Sequence, residues 1–549
     1  MNHYNPNWYT FRSTLKRAKD KLNTSPLMFF WGLFSLQWLL LASIKGPTWD
    51  AAFYYVLARS PIFDGDLKLQ NDLLLSYNTA SPDFVAKNYH ESLTGTGRVA
   101  SPYAIGTPIL WLPIMALLRL FTLFPSNAVA TGFEWPFVAS IASFSAICGM
   151  LAFWLSYKMA RSEVGQTPAM IATMTLMFAT PLLYYQFREP MYSHTSSALI
   201  ATLCIYYWNR TRHVIGSRTQ ALSLGALIGF AGLTRWQNLM YLVLPLASTS
   251  IVYLSLPREK KREHWWRALQ YVTLVITASL AIFSVQMAIW QLFYGRWATV
   301  PQGGAYVDWR APFFIPVLFS TFRGLLPWMP VVFLSVIGVA ASLGKGKAQL
   351  ALPLLLLLLL ETYVNSSTRD WFGGGGFGPR RYTSELVIWI LGYAYLVRQL
   401  PRYIRAFLFS TLGFLLALHQ WLLLRYGLTE RIGGKVLSMY PTYTWTDVGL
   451  REFALALTNH LPDLIERPLD FLVFSGSPLF ALITRHVLPA QHIFPFLTMG
   501  ILVGGGLSVA RRATQHRLRN SATTGRNLLL TAITGVTLIA VMLWILYLA

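Results

Sequence analysis

Long apolar runs, separated by short polar segments, recur along most of the chain. Runs of about 18 to 25 apolar residues can cross a bilayer as helices. The run LPLLLLLLLE at 352–361 does not alternate polar and apolar residues, which excludes a transmembrane β-barrel. The pattern therefore predicts an all-α polytopic membrane protein, because helices satisfy their own backbone polar groups inside lipid. We place thirteen transmembrane helices, at residues 28–45, 133–157, 167–186, 193–208, 221–235, 237–256, 270–293, 324–343, 348–363, 383–397, 406–425, 492–510 and 527–548.

Composition and charge agree with a membrane protein. Of the 549 residues 54% are hydrophobic and 12% are charged, and the net charge is +23. In a soluble protein this charge would be typical of nucleic-acid binding. Here the basic residues concentrate in the segments that a cytoplasmic N-terminus places on the inner side, as the positive-inside rule requires. We therefore expect no nucleic-acid partner. The same bias keeps the apolar segment 104–123, with Pro108 and Pro113, at the outer interface or as a re-entrant segment.

The predicted spans divide the chain into four parts. These are a basic cytoplasmic N-terminus at 1–27, a transmembrane module at 28–425, an outer loop region at 426–491 and a C-terminal two-helix membrane segment at 492–549. The N-terminus shows no cleavable signal pattern. The module includes a large outer loop at 46–132, which we expect to face the periplasm.

Three segments on the outer side are predicted to be surface helices. Residues 51–60, AAFYYVLARS, resemble an amphipathic helix lying along the membrane, with aromatic side chains suited to the interface. Residues 452–460 and 463–475 are expected to form similar helices.

Asp50 stands where the first span ends and the acidic outer loop begins. A carboxylate at this position can act as a general base toward an acceptor hydroxyl. The alternative is that Asp50 only caps the helix that follows, which aspartate does well. The sequence leaves both roles open.

The stretch FDGDLKLQND adds Asp64 and Asp66 to the same loop. A D-x-D pattern is typical of some metal sites, but Lys68 and Gln70 occupy later ligand positions of a calcium loop and no glutamate closes it. The alternative is a turn at Gly65 with solvated acids. We predict no cofactor, and the sequence leaves a divalent metal open without supporting one.

Polar residues also gather at the outer ends of later spans. The stretch REPMYSHTS contributes Glu189 and His194, GLTRWQN contributes Arg235, and LFSTFRGLLPWMP contributes Arg323. Charges at a membrane edge are costly and are candidates for function. The alternatives are an ion pair at a helix end and an arginine that only reaches toward the interface.

The stretch DWFGGGGFGPRRY at 370–382 is the most distinctive motif. Consecutive glycines let the backbone approach a ligand closely. Arg380 and Arg381 follow at the mouth of a span, and Trp371 precedes the glycines. Backbone N–H groups with arginine guanidiniums favour a phosphate site. The alternative is a flexible loop with interfacial arginines.

These motifs resemble those of the GT-C superfamily of integral membrane glycosyltransferases, in the bacterial branch related to protein O-mannosyltransferases and the lipid A aminoarabinose transferase. The family has an aspartate shortly after the first span, which Asp50 matches together with Tyr54 or Tyr55. FDGDL, SPYAIGTPILWLP and WFGGGGFGPRRY are similar to further family segments. Two positions depart from the pattern, with Ala51 where many relatives have Glu and Ser101 where many have His.

The resemblance implies a GT-C-type bundle of about thirteen helices and an enzyme of the bacterial inner membrane. It implies transfer of a sugar from a polyprenyl-phosphate donor to an envelope glycan, lipid or protein, on the periplasmic face and with inversion. Asp50 would be the general base, and Arg380, with Arg235 or Arg381, would bind the donor phosphate. The candidate substrate-binding residues are Tyr54, Tyr55, Asp64, Asp66, Glu189, His194, Arg323 and Trp371.

Two other functions also use lipid-linked sugars. A transporter or flippase would need phosphate-binding arginines and no base, but it would place ionisable groups in mid-span or show repeated halves. A ligase or polymerase of O-antigen type would place its large outer loop late in the chain, where 426–491 is a candidate. The large first loop favours the glycosyltransferase.

Overall fold

The computed structural model describes residues 26–76, 94–122, 130–212, 217–407, 411–426, 431–432, 435–436 and 450–485. Two units are distinguished by their internal contacts, residues 44–472 and the two chain ends 1–43 with 473–549. In the second unit, a helix at Pro26–Leu41 (α1) contacts a helix at Pro478–Arg485 (α22). The backbone N–H of Phe474 donates to the carbonyl of Leu40 at 3.0 Å.

The larger unit is helical, as the sequence predicts. Its helices before the centre of the chain are α2 (Asp50–Phe63), α3 (Leu69–Ser76), α4 (Gly106–Thr122), α5 (Trp135–Val164), α6 (Gln166–Phe178), α7 (Leu182–Phe187), α8 (His194–Thr211), α9 (Arg218–Thr234), α10 (Val243–Leu254) and α11 (Arg258–Tyr294). They are followed by α12 (Phe314–Phe319), α13 (Leu325–Trp328), α14 (Val331–Leu343), α15 (Ala348–Ser366), α16 (Leu386–Gln399), α17 (Arg402–Phe407), α18 (Gly413–Tyr426), α19 (Leu450–Thr458), α20 (Leu461–Glu466) and α21 (Pro468–Leu472). Short 3₁₀ helices lie at Trp236–Leu242, Gly304–Tyr306 and Arg380–Thr383, and Arg431–Ile432 pairs antiparallel with Lys435–Val436.

The predicted spans coincide with helices wherever the structure describes them. Among the described residues, four helical stretches are long and apolar enough to cross a membrane, namely Trp135–Val164, Trp236–Leu254, Arg258–Tyr294 and Ala348–Ser366. Two predicted spans, 167–186 and 324–343, are each divided between two helices. Pro181 and Pro330 stand at these breaks, where proline removes a backbone donor. The predicted spans 492–510 and 527–548 lie outside the described residues.

Small residues allow the long helices to approach one another closely. On α9, a Cβ placed on Gly229 would lie 2.5 Å from the carbonyl oxygen of Ser279 on α11. The hydroxyl of Ser279 donates to the carbonyl of Gly225 at 3.0 Å. Gly338 on α14 and Gly392 on α16 meet in the same way, so closely that neither position has room for a side chain. Such contacts are typical of helices that pack in membranes.

Helix α2 was predicted to be an amphipathic surface helix. This prediction is wrong, because the helix has no exposed face between Ala51 and Ser60. The helix forms as predicted, but every residue from Ala51 to Ser60 is buried. It packs against α3 and α4, and the hydroxyl of Tyr55 donates to the carbonyl of Gly132 at 2.6 Å. A helix that is apolar on all sides is stable only inside a protein or a bilayer. Its burial fixes the position of Asp50, its first residue.

Two other predictions about the outer segments fall on described helices. Segment 104–123 is a helix, Gly106–Thr122, with Pro113 inside it and with Trp111 and Met115 fully buried. Whether it crosses the membrane stays a prediction. Residues 452–460 and 463–475 contain helices α19, α20 and α21, as expected.

Candidate active site

A cavity of about 610 Å³ opens within the larger unit, between the starts of α2 and α8 and the segments that follow α9, α11 and α15. Six of the predicted site residues line it: Asp50, Tyr54, His194, Arg235, Arg380 and Arg381. The other six, Tyr55, Asp64, Asp66, Glu189, Arg323 and Trp371, are not part of its lining. The cavity therefore brings together the predicted base and all three predicted phosphate ligands, although they come from distant parts of the chain.

Asp50 is the first residue of α2, and its carboxylate does not cap that helix. The residue before it, Trp49, occupies the capping position, does not cap the helix with its side chain and has a φ of 53°. Instead, Oδ2 of Asp50 lies 2.6 Å from Nη1 of Arg380. The Asp50 side chain is 20% exposed and the Arg380 side chain 15% exposed. The carboxylate is thus directed into the cavity, where a ligand can reach it.

Arg381 is held by partners from two loops. Its Nη2 contacts Asp370 and lies 2.7 Å from the hydroxyl of Tyr306, and its Nη1 donates to Thr368. Burial raises the pKa of Tyr306 to about 12, so its hydroxyl keeps its proton and donates to Asp370. Asp370 therefore neutralises Arg381, and the cluster joins the loop before α12 to the loop after α15.

Arg235 differs from the other two arginines because it has no carboxylate partner within ion-pair distance among the described residues. Its Nη1 lies 3.0 Å from Nδ1 of His194 and 3.2 Å from the carbonyl oxygen of Arg380. Arginine can only donate, so Nδ1 of His194 accepts in this contact. Within the described part of the chain, Arg235 is therefore the cavity arginine whose charge no acid pairs.

The glycine loop, residues 373–378, packs partly against Arg380. Gly373 and Gly374 have φ values of 80° and 62°, which glycine adopts without strain. A Cβ on Gly373 would lie 3.2 Å from Cγ of Arg380, and one on Gly376 would lie 2.5 Å from its Cδ. Gly374 and Gly375 line the cavity. The glycines thus let the backbone approach the Arg380 side chain closely, as well as the cavity.

The FDGDL acids form a separate cluster around Arg59. Nη1 of Arg59 lies 2.6 Å from Oδ2 of Asp64 and also contacts Asp72, whose side chain is fully buried. Asp66 accepts hydrogen bonds from the hydroxyl of Ser60 at 3.1 Å and the backbone N–H of Lys68 at 2.9 Å. These acids stabilise the turn after α2 and do not face the cavity.

The remaining predicted residues do not line the cavity. Burial raises the pKa of Glu189. Trp371 is 5% exposed and packs edge-on against Phe372. Arg323 is 3% exposed, has a φ of 136° and donates to the carbonyl of Gly374. A positive φ outside glycine costs about 1–3 kcal/mol, so the surrounding contacts must hold Arg323 in place.

Sequence reasoning did not select several residues that complete the cavity. Tyr103 stacks on Tyr54 with ring centroids 5.0 Å apart, and both line the cavity with Tyr306 and Asp370. Asp370 stands inside the glycine motif, so its position was a usable signal. Tyr103 and Tyr306 could not be selected from the sequence, because nothing distinguishes them from the other tyrosines among the 27 in the chain. In the described residues, no three histidine, cysteine, aspartate or glutamate side chains are grouped to hold a metal ion.

Comparison with known proteins identifies one family. Residues 137–290 match the family described as dolichyl-phosphate-mannose-protein mannosyltransferase. This match confirms the predicted resemblance to integral membrane glycosyltransferases over the segment that it covers. His194 and Arg235 lie within the matched segment, and Asp50, Arg380 and Arg381 lie outside it. A search of curated proteins found no match to this chain.

Two crystal structures of ArnT from Cupriavidus metallidurans are similar to the chain. The structure bound to undecaprenyl phosphate has a TM-score of 0.47 at 12% identity, and the comparison covers 96% of this chain and 75% of that one. The apo structure has a TM-score of 0.45 at 12% identity, with 97% and 76% of the two chains covered.

Proposed function

We propose that this protein is a glycosyltransferase that moves a sugar from a polyprenyl-phosphate donor to an envelope glycan, lipid or protein. The reaction takes place on the periplasmic face of the bacterial inner membrane. The observation that carries the proposal is the convergence of Asp50 with Arg235, Arg380 and Arg381 on one cavity. A transfer of this kind needs a base for the acceptor hydroxyl and cations for the leaving phosphate. The match to a family that is named for a lipid-phosphate sugar donor supports the choice of donor.

The arginines bind the donor phosphate. Arg235 attracts the phosphate first, because no acid pairs its charge within the described residues. The phosphate then offers Arg380 a second anionic partner beside Asp50, which lies 2.6 Å away. Charged hydrogen bonds of arginine to phosphate are among the stronger ones in proteins.

Asp50 is the general base of the transfer. It takes the proton from an acceptor hydroxyl, whose oxygen attacks the anomeric carbon of the sugar. The bond between that carbon and the phosphate oxygen breaks, and the polyprenyl phosphate leaves with an added negative charge. Arg235 and Arg380 stabilise this charge as it develops. Attack opposite the leaving group inverts the anomeric configuration.

The experiment that tests the proposal follows sugar transfer by the purified full-length protein in proteoliposomes. Polyprenyl-phosphate sugars labelled in the sugar are offered with envelope lipids, glycans and peptides, and the anomeric configuration of the product is determined by NMR. We expect transfer with inversion, and inhibition by free polyprenyl phosphate. Movement of labelled donor across the bilayer without any transfer would contradict the proposal and favour a flippase.

A further inference from the structure

Two side chains outside the cavity hold the glycine loop. The hydroxyl of Tyr185 accepts a hydrogen bond from the backbone N–H of Phe377 at 2.7 Å and donates one to the Phe377 carbonyl at 3.0 Å. Arg323 donates to the carbonyl of Gly374. Tyr185 is fully buried and Arg323 is 3% exposed. The loop is thus fixed near both of its ends by residues that do not line the cavity.

The same loop separates Tyr185 from Arg380 by a single glycine. A Cβ on Gly376 would lie 2.5 Å from Cδ of Arg380 and 2.6 Å from the hydroxyl of Tyr185. No side chain fits between them, so the tyrosine hydroxyl, the backbone of Gly376 and the stem of Arg380 are in direct contact. A shift of the loop must therefore move the guanidinium of Arg380.

We propose that Tyr185, assisted by Arg323, is a positioning residue that directs Arg380 toward the donor phosphate. This inference rests on the proposed function, in which Arg380 binds that phosphate. A long arginine side chain loses much rotamer freedom when it binds a ligand, and a wall that fixes it beforehand reduces this cost. Tyr185 and Arg323 supply the fixed wall through the glycine loop.

The test compares Tyr185→Phe with Tyr184→Phe. Tyr184 is a matched control because its ring stacks on Phe377 with centroids 4.8 Å apart, while the described residues show no hydrogen bond from its hydroxyl. Binding of undecaprenyl phosphate to the purified protein is measured for both variants, beside a thermal melt. We expect Tyr185→Phe to bind roughly tenfold more weakly, because two buried backbone groups lose their partner, and Tyr184→Phe to bind as wild type does.

A double-mutant cycle with Arg380→Ala separates positioning from a general structural role. If Tyr185 acts through Arg380, Tyr185→Phe adds no further loss of binding once Arg380 is removed. In Gly376→Ala the added methyl group displaces Arg380 directly. We expect this variant to weaken binding, and to cause no further loss once Arg380 is replaced by alanine. It also serves as the test if Tyr185→Phe does not fold.

Three results would overturn the inference. Additive losses in the cycle would mean that Tyr185 acts on the fold and not through Arg380. Unchanged binding by folded Tyr185→Phe, with weakened binding by Arg380→Ala, would remove the role of Tyr185 and leave the proposed function intact. Unchanged binding by Arg380→Ala would remove both this inference and the assignment of Arg380 as a phosphate ligand.

Discussion

Helix α2 carries two acid–arginine pairs that use the same chemistry in different surroundings. At its first residue, Asp50 pairs with Arg380 from a distant part of the chain, with side chains 20% and 15% exposed. In its third turn, Arg59 pairs with Asp64 in the adjoining loop and with Asp72 in α3, with Arg59 5% exposed and Asp72 fully buried. Asp50 and Arg380 both line the cavity, so a ligand that enters it can replace one of them as the partner of the other. The second pair is enclosed, so its contribution is to stability.

The largest expected effect is on turnover by Asp50→Asn. The amide cannot take a proton from the acceptor, so the transfer rate should fall by about 10²- to 10⁴-fold, the usual contribution of a general base. The rate is measured at saturating donor with the purified variant, beside a thermal melt. Turnover within a few fold of wild type would mean that Asp50 only orients Arg380.

Replacing an acid of the enclosed Arg59 pair should lower the stability of the protein. Asp72→Asn leaves the buried Arg59 with part of its ion pair missing, and breaking such a pair costs about 3–5 kcal/mol. We expect a clear fall in the thermal midpoint, while the folded fraction binds undecaprenyl phosphate as wild type does. Weaker ligand binding at unchanged stability would place the Arg59 cluster in the function and remove the contrast between the two pairs.

A smaller effect is expected at the other cavity pair. Asp370→Asn removes the acid that neutralises Arg381, whose side chain is 13% exposed. The freed charge should tighten binding of undecaprenyl phosphate, by up to roughly fivefold, because a partly exposed pair contributes at most about 1 kcal/mol. Weaker binding would show instead that Asp370 is needed to hold Arg381 in position. Equilibrium binding at two salt concentrations measures the change and its electrostatic part.

The smallest effect is expected from Asp66→Asn, the matched control for Asp50→Asn. Its side chain is 36% exposed and lies outside the cavity. Stability should change by no more than about 0.5 kcal/mol, and the transfer rate should stay unchanged. A large loss of transfer would make the FDGDL acids candidates for catalysis.

The sequence was sufficient to predict the helical fold, Asp50 and the three cavity arginines, because each stands at the end of an apolar run. It was not sufficient to separate Asp50 from Asp64 and Asp66. All three are acids in one loop, and only the position of Arg59 in the folded chain divides them. The burial of α2 was open to prediction from its apolar residues on every face. Tyr185 gave no signal, since its role depends on contacts with a loop far along the chain.

The central claim is that the cavity binds the phosphate of a lipid donor, and binding of undecaprenyl phosphate to Arg235→Gln tests it most directly. Arg235 pairs with no acid among the described residues, so its replacement should not free a competing carboxylate. Loss of one charged hydrogen bond predicts binding weaker by about 10- to 100-fold, with the thermal midpoint retained. Binding equal to that of wild type, in a folded variant, would contradict the claim.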